Sequence, residues 1–137
     1  LGFDFVQNYG AVTLGNSGVY FITCECFGAK FIKVGRSSDV TSRRRELQSG
    51  CPFELVIEYV QPMDEKDASE QERRCRGIFR SMQQRIQKDD LSSSSPEEEL
   101  MPRWFPFAGE IKAFVRELKS GDTPDAILAR EQQALLF

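Results

Sequence analysis

Apolar positions change their period along this chain. Two short runs come first, Val19 to Cys26 and Phe31 to Val34, both rich in β-branched and aromatic residues. With Gly28-Ala29 as a tight turn between them, they predict a hairpin. Gly35 ends the second strand, and Ser37, Ser38 and Asp39 offer N-caps for a helix over Val40 to Gln48. Ser49-Gly50 stops that helix, with Gly50 as a left-handed cap and Pro52 just beyond. Leu55 to Val60 reads as a third strand.

The period then lengthens. A helix opening at Met63 to Asp67 runs to about Lys88, with Cys75, Phe79, Met82 and Ile86 on one apolar face. Glu72 falls at the edge of that face, beside Cys75 and Phe79, while Glu70 points away. A carboxylate at the border of a buried face is costly unless something binds it. Pro102 to Pro106 returns an aromatic pair to the body. Ala108 to Lys119 is an amphipathic helix with Ile111, Phe114, Val115 and Leu118 inward. Gly121 stops it, and Thr123-Pro124-Asp125 starts a last helix that ends at Phe137. Asn16-Ser17 is a turn signal. Residues 1 to 15 read as an edge strand or a wrapped arm. Asp89 to Leu100 (DDLSSSSPEEEL) reads as a solvated acidic linker. These elements predict an α+β fold: a small antiparallel three-stranded sheet flanked by helices. One domain spans 1–137, with its core over 16–119 and a C-terminal helix over 121–137.

Length and composition narrow the classes. At 137 residues, 40% of them hydrophobic, the chain can bury a core without disulfide staples. No run is long enough to cross a bilayer and no signal peptide is visible, so no membrane partner is expected. An intracellular setting is expected, with cytoplasm and nucleus both open. Starting at Leu1 rather than Met, the chain reads as an excised piece. Cys24, Cys26, Cys51 and Cys75 form no Cys-x-x-Cys pair, which favours free thiols over a zinc site. There is no histidine, which excludes histidine general-base chemistry and Ser–His or Cys–His nucleophile pairs.

The net charge is −3, but five acids and no base lie between Asp89 and Glu99. Without them the balance turns to about +2. The arginines cluster as Arg36, Arg43, Arg44 and Arg45, then as Arg73, Arg74, Arg76 and Arg80. A basic face of this kind suits a phosphate-rich ligand. The plain alternative is two solvated helix faces.

Gly18-Val19-Tyr20, the strand pair, Lys33-Val34-Gly35, the arginine helix and the later helix bearing Glu72 together resemble the GIY-YIG endonuclease superfamily. The run KVGRSSDVTSRRRELQSGCP is similar to its phage-derived branch, with a Lys-Ile-Gly-type second motif. The segment ERRCRGIF, followed by Arg103-Trp104-Phe105, also looks like that branch. The resemblance spans about Gly18 to Val115. It implies a GIY-YIG-like domain and a metal-dependent endonuclease that hydrolyses phosphodiester bonds of DNA or RNA.

The resemblance also implies roles. Tyr20 would be general base or would position the attacking water. Lys33 would act on Tyr20 through its charge or contact the phosphate. Gly35 would let the backbone approach the substrate closely. Arg43 would stabilise charge on the scissile phosphate, and Arg36 and Arg45 would grip flanking phosphates. Glu72 would hold Mg2+ or Mn2+. Many members of the branch carry a histidine four residues after that glutamate. Arg76 stands there and could clamp a phosphate but not serve as a base at neutral pH. The acidic Ser-rich insertion also departs from the pattern. Two other readings stay open: an inactive nucleic-acid-binding module, and a protein-interaction module. In the latter the N-terminal arm and Ala134 to Phe137 would dock a partner or make a homodimer.

Overall fold

One hairpin organises the sheet. In the computed structural model, which describes residues 16–90 and 104–136, β1 (Gly18–Cys26) and β2 (Ala29–Ser37) pair antiparallel along their whole lengths. The turn is Phe27-Gly28 rather than Gly28-Ala29. Both residues have positive φ, 53° and 83°, as a two-residue type I′ turn requires, and Ala29 already pairs with Cys26. Nor does β2 stop at Gly35. It continues to Ser37, with Gly35 opposite Tyr20.

β3 (Val56–Pro62) lies on the other side of β1, slightly later in the chain than Leu55 to Val60. A fourth strand, β4 (Phe105–Pro106), joins the outer edge of β2 and pairs only with Phe31 and Ile32. The order is therefore β3-β1-β2-β4, one strand more than the hydrophobic pattern predicts. The α+β class stands: among the described residues, an antiparallel sheet with four helices, α1 (Val40–Ser49), α2 (Glu65–Asp90), α3 (Gly109–Lys119) and α4 (Pro124–Leu136).

Alternation along the strands divides the core between two faces. Val19, Phe21, Ile32 and Val34 face α2 and α3, where they meet Cys75, Phe79, Met82, Ile111, Phe114 and Leu118. Phe79 is the hub: its ring meets Phe105 and Phe114 edge-on, with centroids 5.6 and 5.8 Å apart. On the opposite face Tyr20, Ile22, Cys24 and Phe31 lie under Val40 and Leu47 of α1, with Leu55 and Val60.

α1 starts at Asp39, whose carboxylate accepts from the Ser42 amide at 3.1 Å. It ends at Gly50 with φ −104°, so the expected left-handed cap is not formed there. No helix among the described residues is long and apolar enough to cross a membrane. The arm of residues 1–15, the Ser-rich run from residue 91, and the side chains of the terminal apolar segment proposed for dimer docking lie outside the described residues.

Candidate nucleic-acid interface

Strand alternation puts Tyr20, Lys33 and Gly35 on the α1 face of the sheet. Gly35 carries no side chain directly opposite Tyr20, and the ring lies across that gap. A Cβ at residue 35 would land on the Tyr20 Cζ and hydroxyl, and 2.8 Å from Cε1. Tyr20 is thereby sealed to 2% exposure. Lys33 sits opposite Ile22, the diagonal neighbour of Tyr20.

Arg43, one turn into α1, meets the Tyr20 side chain. The Tyr20 side chain beside it, and then Glu46 at 3.5 Å, raise the Arg43 guanidinium above its ordinary value. The Arg43 side chain is still 43% exposed, so it faces both Tyr20 and solvent. Its neighbours diverge. Arg44 Nε donates to the Leu55 carbonyl at 2.8 Å and ties α1 to the start of β3. Arg45 is exposed, and its charge reaches Asp39.

α1 is anchored by a residue the sequence reading treats only as a turn signal. Asn16 Oδ1 accepts from the Thr41 amide at 3.1 Å and the Thr41 hydroxyl at 3.0 Å. Its side-chain amide donates to Asp39 at 2.5 Å, and its carbonyl accepts from the Val40 amide at 2.8 Å. The partners lie more than twenty positions away, so no local spacing signals this bond set.

Arg36 follows Gly35 and therefore faces the other way, toward α2. Its Nε lies 3.3 Å from Glu72 Oε2, and its Nη1 lies 3.8 Å from Glu65. Arg76 Nη1 lies 3.3 Å from the other Glu72 oxygen. Glu72, 16% exposed, is held by guanidinium groups on both oxygens. This binding offsets the cost of a carboxylate at the border of the apolar face.

No group of three or more His, Cys, Asp and Glu side chains gathers among the described residues. The donor set for a divalent cation is one carboxylate. Both oxygens of that carboxylate already face guanidinium groups, so a divalent cation there would need most of its ligands from outside the chain. The four cysteines are free. Burial pushes the Cys75 thiol up to about 12, and burial with Cys26 and Cys51 nearby pushes Cys24 up to about 11, so both stay neutral at neutral pH.

The expected site residues thus form two groups on opposite faces of the sheet. Tyr20, Lys33, Gly35 and Arg43 lie on the α1 side; Arg36, Glu72 and Arg76 lie on the α2 side. They are not gathered in one pocket. What joins them is the backbone of β2, where Gly35 and Arg36 are consecutive and β4 has already ended. Beyond Glu72 an open groove of about 800 Å³ runs along the outer face of α2. It includes Lys66, which sequence reasoning did not single out.

A family model, the T5orf172 domain, matches residues 17–118. The chain belongs to the T5orf172 domain family. This corrects the resemblance to the GIY-YIG superfamily, because the T5orf172 domain is a different domain family. The physical reason lies in the glycines that carried the resemblance. A Cβ at Gly18 would land on the Gln61 carbonyl, 3.0 Å from the Met63 amide, and one at Gly35 would land on Tyr20. Close packing within the sheet demands both glycines whatever the family. The T5orf172 domain is nuclease-like and associated with DNA binding in general. No curated protein matches the chain, and no solved structure does.

Proposed function

We propose that this T5orf172 domain is an endonuclease that hydrolyses phosphodiester bonds at the outer edge of β2. One observation carries the reading: a half-exposed arginine beside a buried tyrosine on one side of that edge, and a doubly clamped carboxylate on the other. In hydrolysis a water oxygen bonds to phosphorus, one P–O ester bond breaks, and the leaving oxygen takes a proton. Negative charge builds on the non-bridging oxygens. Arg43 meets that charge from the α1 side, with Lys33 adding to the potential on the same face. Arg36 and Arg76 meet the flanking phosphates from the α2 side, and Arg45 extends the basic surface along α1.

Tyr20, at 2% exposure, is a positioning residue. It holds the Arg43 guanidinium at the edge instead of reaching the water itself. Gly35 keeps the space its ring occupies. Glu72, freed when phosphate draws off its two arginines, would hold Mg2+ or Mn2+. That ion, when bound, supplies charge neutralisation at the phosphate oxygens.

The test is incubation with single- and double-stranded DNA and RNA, with Mg2+, Mn2+ or chelator, parent beside Glu72→Ala. The expected result is metal-dependent products from the parent and a large loss of rate in the variant, which still binds. Equal cutting by both overturns the assignment of Glu72. Tyr20→Phe is expected to slow cutting in the parent but not in an Arg43→Ala background; an equal loss in both removes its positioning role. A second reading, binding without cleavage, is favoured by the guanidinium clamp on Glu72. Its marker is salt-sensitive binding with no products in either metal.

A further inference from the structure

We propose that the groove along α2 seats one sugar–phosphate strand of a duplex nucleic acid, with Gly77 as the floor on which the strand lies. The proposal rests on the function above and names its substrate class. Three cations carry it: Lys66, Arg73 and Arg80, spaced seven residues apart along α2. Two steps of seven return nearly to the same side of a helix, so the three form a stripe. Its length is about 21 Å, the axial rise of roughly six base pairs.

Several cations elsewhere on the surface find carboxylates. Arg74 pairs with Asp125, Lys119 with Glu58 at 2.7 Å, and Arg130 with Asp122 and Glu117 at 2.7 and 3.0 Å. Lys66, Arg73 and Arg80 reach no carboxylate among the described residues. Glu70 also lines the groove but lies within ion-pair distance of none of the three, and cations outnumber acids in its lining; such an excess in a concave surface concentrates positive potential where polyanions bind.

Gly77 is the independent observation. It sits on the same stripe, exposed, within a 26-residue helix. A Cβ there would meet nothing within 4 Å, and its φ is not in the left-handed range. Neither packing nor backbone conformation within the described chain requires glycine. It costs the helix about 1 kcal/mol relative to alanine. What it leaves is bare backbone between Arg73 and Arg80, room for a ligand to lie close.

The chemistry of the lining selects a duplex. No aromatic side chain lines the groove. Proteins that hold single strands stack bases on aromatic rings, and nothing here offers such a platform. Contacts limited to phosphates suit a strand whose bases are already paired and turned away, and they carry no base sequence. From the groove the strand leads past Arg36 to the edge of β2.

The experiment is fluorescence anisotropy on a labelled duplex and on either strand alone, over a salt series, with parent, Gly77→Leu and the double variant Arg73→Ala/Arg80→Ala. Gly77→Leu is expected to melt higher than the parent yet bind duplex at least about tenfold more weakly. The double arginine variant is expected to lower the slope of log affinity against log salt by about 1.8. Gly77→Leu binding duplex as tightly as the parent overturns the groove, as does an unchanged salt slope in the double variant. A parent that binds the single strand as tightly as the duplex overturns the substrate class. If the parent binds no nucleic acid, the proposed function falls and the groove with it. If the parent cuts while both groove variants bind as it does, the groove alone falls.

Discussion

Gly35→Ala tests the contact that positions Arg43. The new methyl would have to occupy space filled by the Tyr20 Cζ and hydroxyl, and would lie 2.8 Å from Cε1. The ring is 2% exposed and has no open side to swing into, being packed within the α1-face core. Overpacking of this kind costs about 1–3 kcal/mol. In a domain of this size each kcal/mol moves the melting temperature by roughly 3–6 °C. In urea the midpoint is expected to fall by about 0.5–2 M, with a slope typical of small proteins. A methyl placed on an empty strand edge would produce the same sign for other reasons, so the decisive assay is a double-mutant cycle with Tyr20→Leu. Leucine lacks the atoms that the methyl would strike. Gly35→Ala is therefore expected to cost little in the Tyr20→Leu background, giving a coupling energy of about 1–3 kcal/mol. An equal cost in both backgrounds would refute the contact, and with it the account of why glycine stands at residue 35.

Two further outcomes follow from the same geometry. Asn16→Ala removes side-chain bonds to Thr41 and Asp39 at the start of α1, and is expected to lower stability by about 0.5–2 kcal/mol in urea titrations; no change would mean that Asp39 alone caps the helix. Burial alone would raise the Glu58 carboxyl, but the hydrogen bond and charge of Lys119 at 2.7 Å take it below its ordinary value of 4.5. A carboxyl lowered in the folded state adds stability that is full above the ordinary value and is lost as pH falls through the lowered one. Lys119→Met should therefore flatten the acid limb of stability against pH below about 4.5, read as urea midpoints; a limb as steep as the parent's would exclude this pair as its source.

Local physics made most of the elements legible. The β-branched and aromatic runs at Val19 and Phe31, the Asp39 cap and the long apolar stripe of α2 each follow from spacing within a few turns or pleats. The misses share a tertiary cause. β4 is two residues long and exists only because Phe31 and Ile32 offer it an edge. Gly35 reads locally as a strand breaker, yet the strand passes through it and the missing side chain serves Tyr20 across the pair. Gly50 reads as a left-handed cap and is not one.

The site was legible in part for the same reason. Glu72 at the border of the α2 apolar stripe was found from periodicity, and its arginine partners explain why it can be buried there. Strict alternation already separates Tyr20 and Gly35 from Arg36, so the division between two faces was written in the register. Arg73 and Arg80 read in the sequence only as part of an arginine cluster, and neither Lys66 nor Gly77 is singled out there. Only the structure distinguishes those cations from Arg74, which is one residue away and paired with Asp125.

The central claim is that two groups held on opposite faces of one sheet act as a single site at the open edge of β2. Rates of duplex cleavage by Arg43→Ala, Glu72→Ala and the double variant test it most directly. The expected result is a large loss for each single variant and no substantial further loss for the double, as for residues that act as a unit. Single losses that multiply in the double variant, or single variants that cut as fast as the parent, would contradict it.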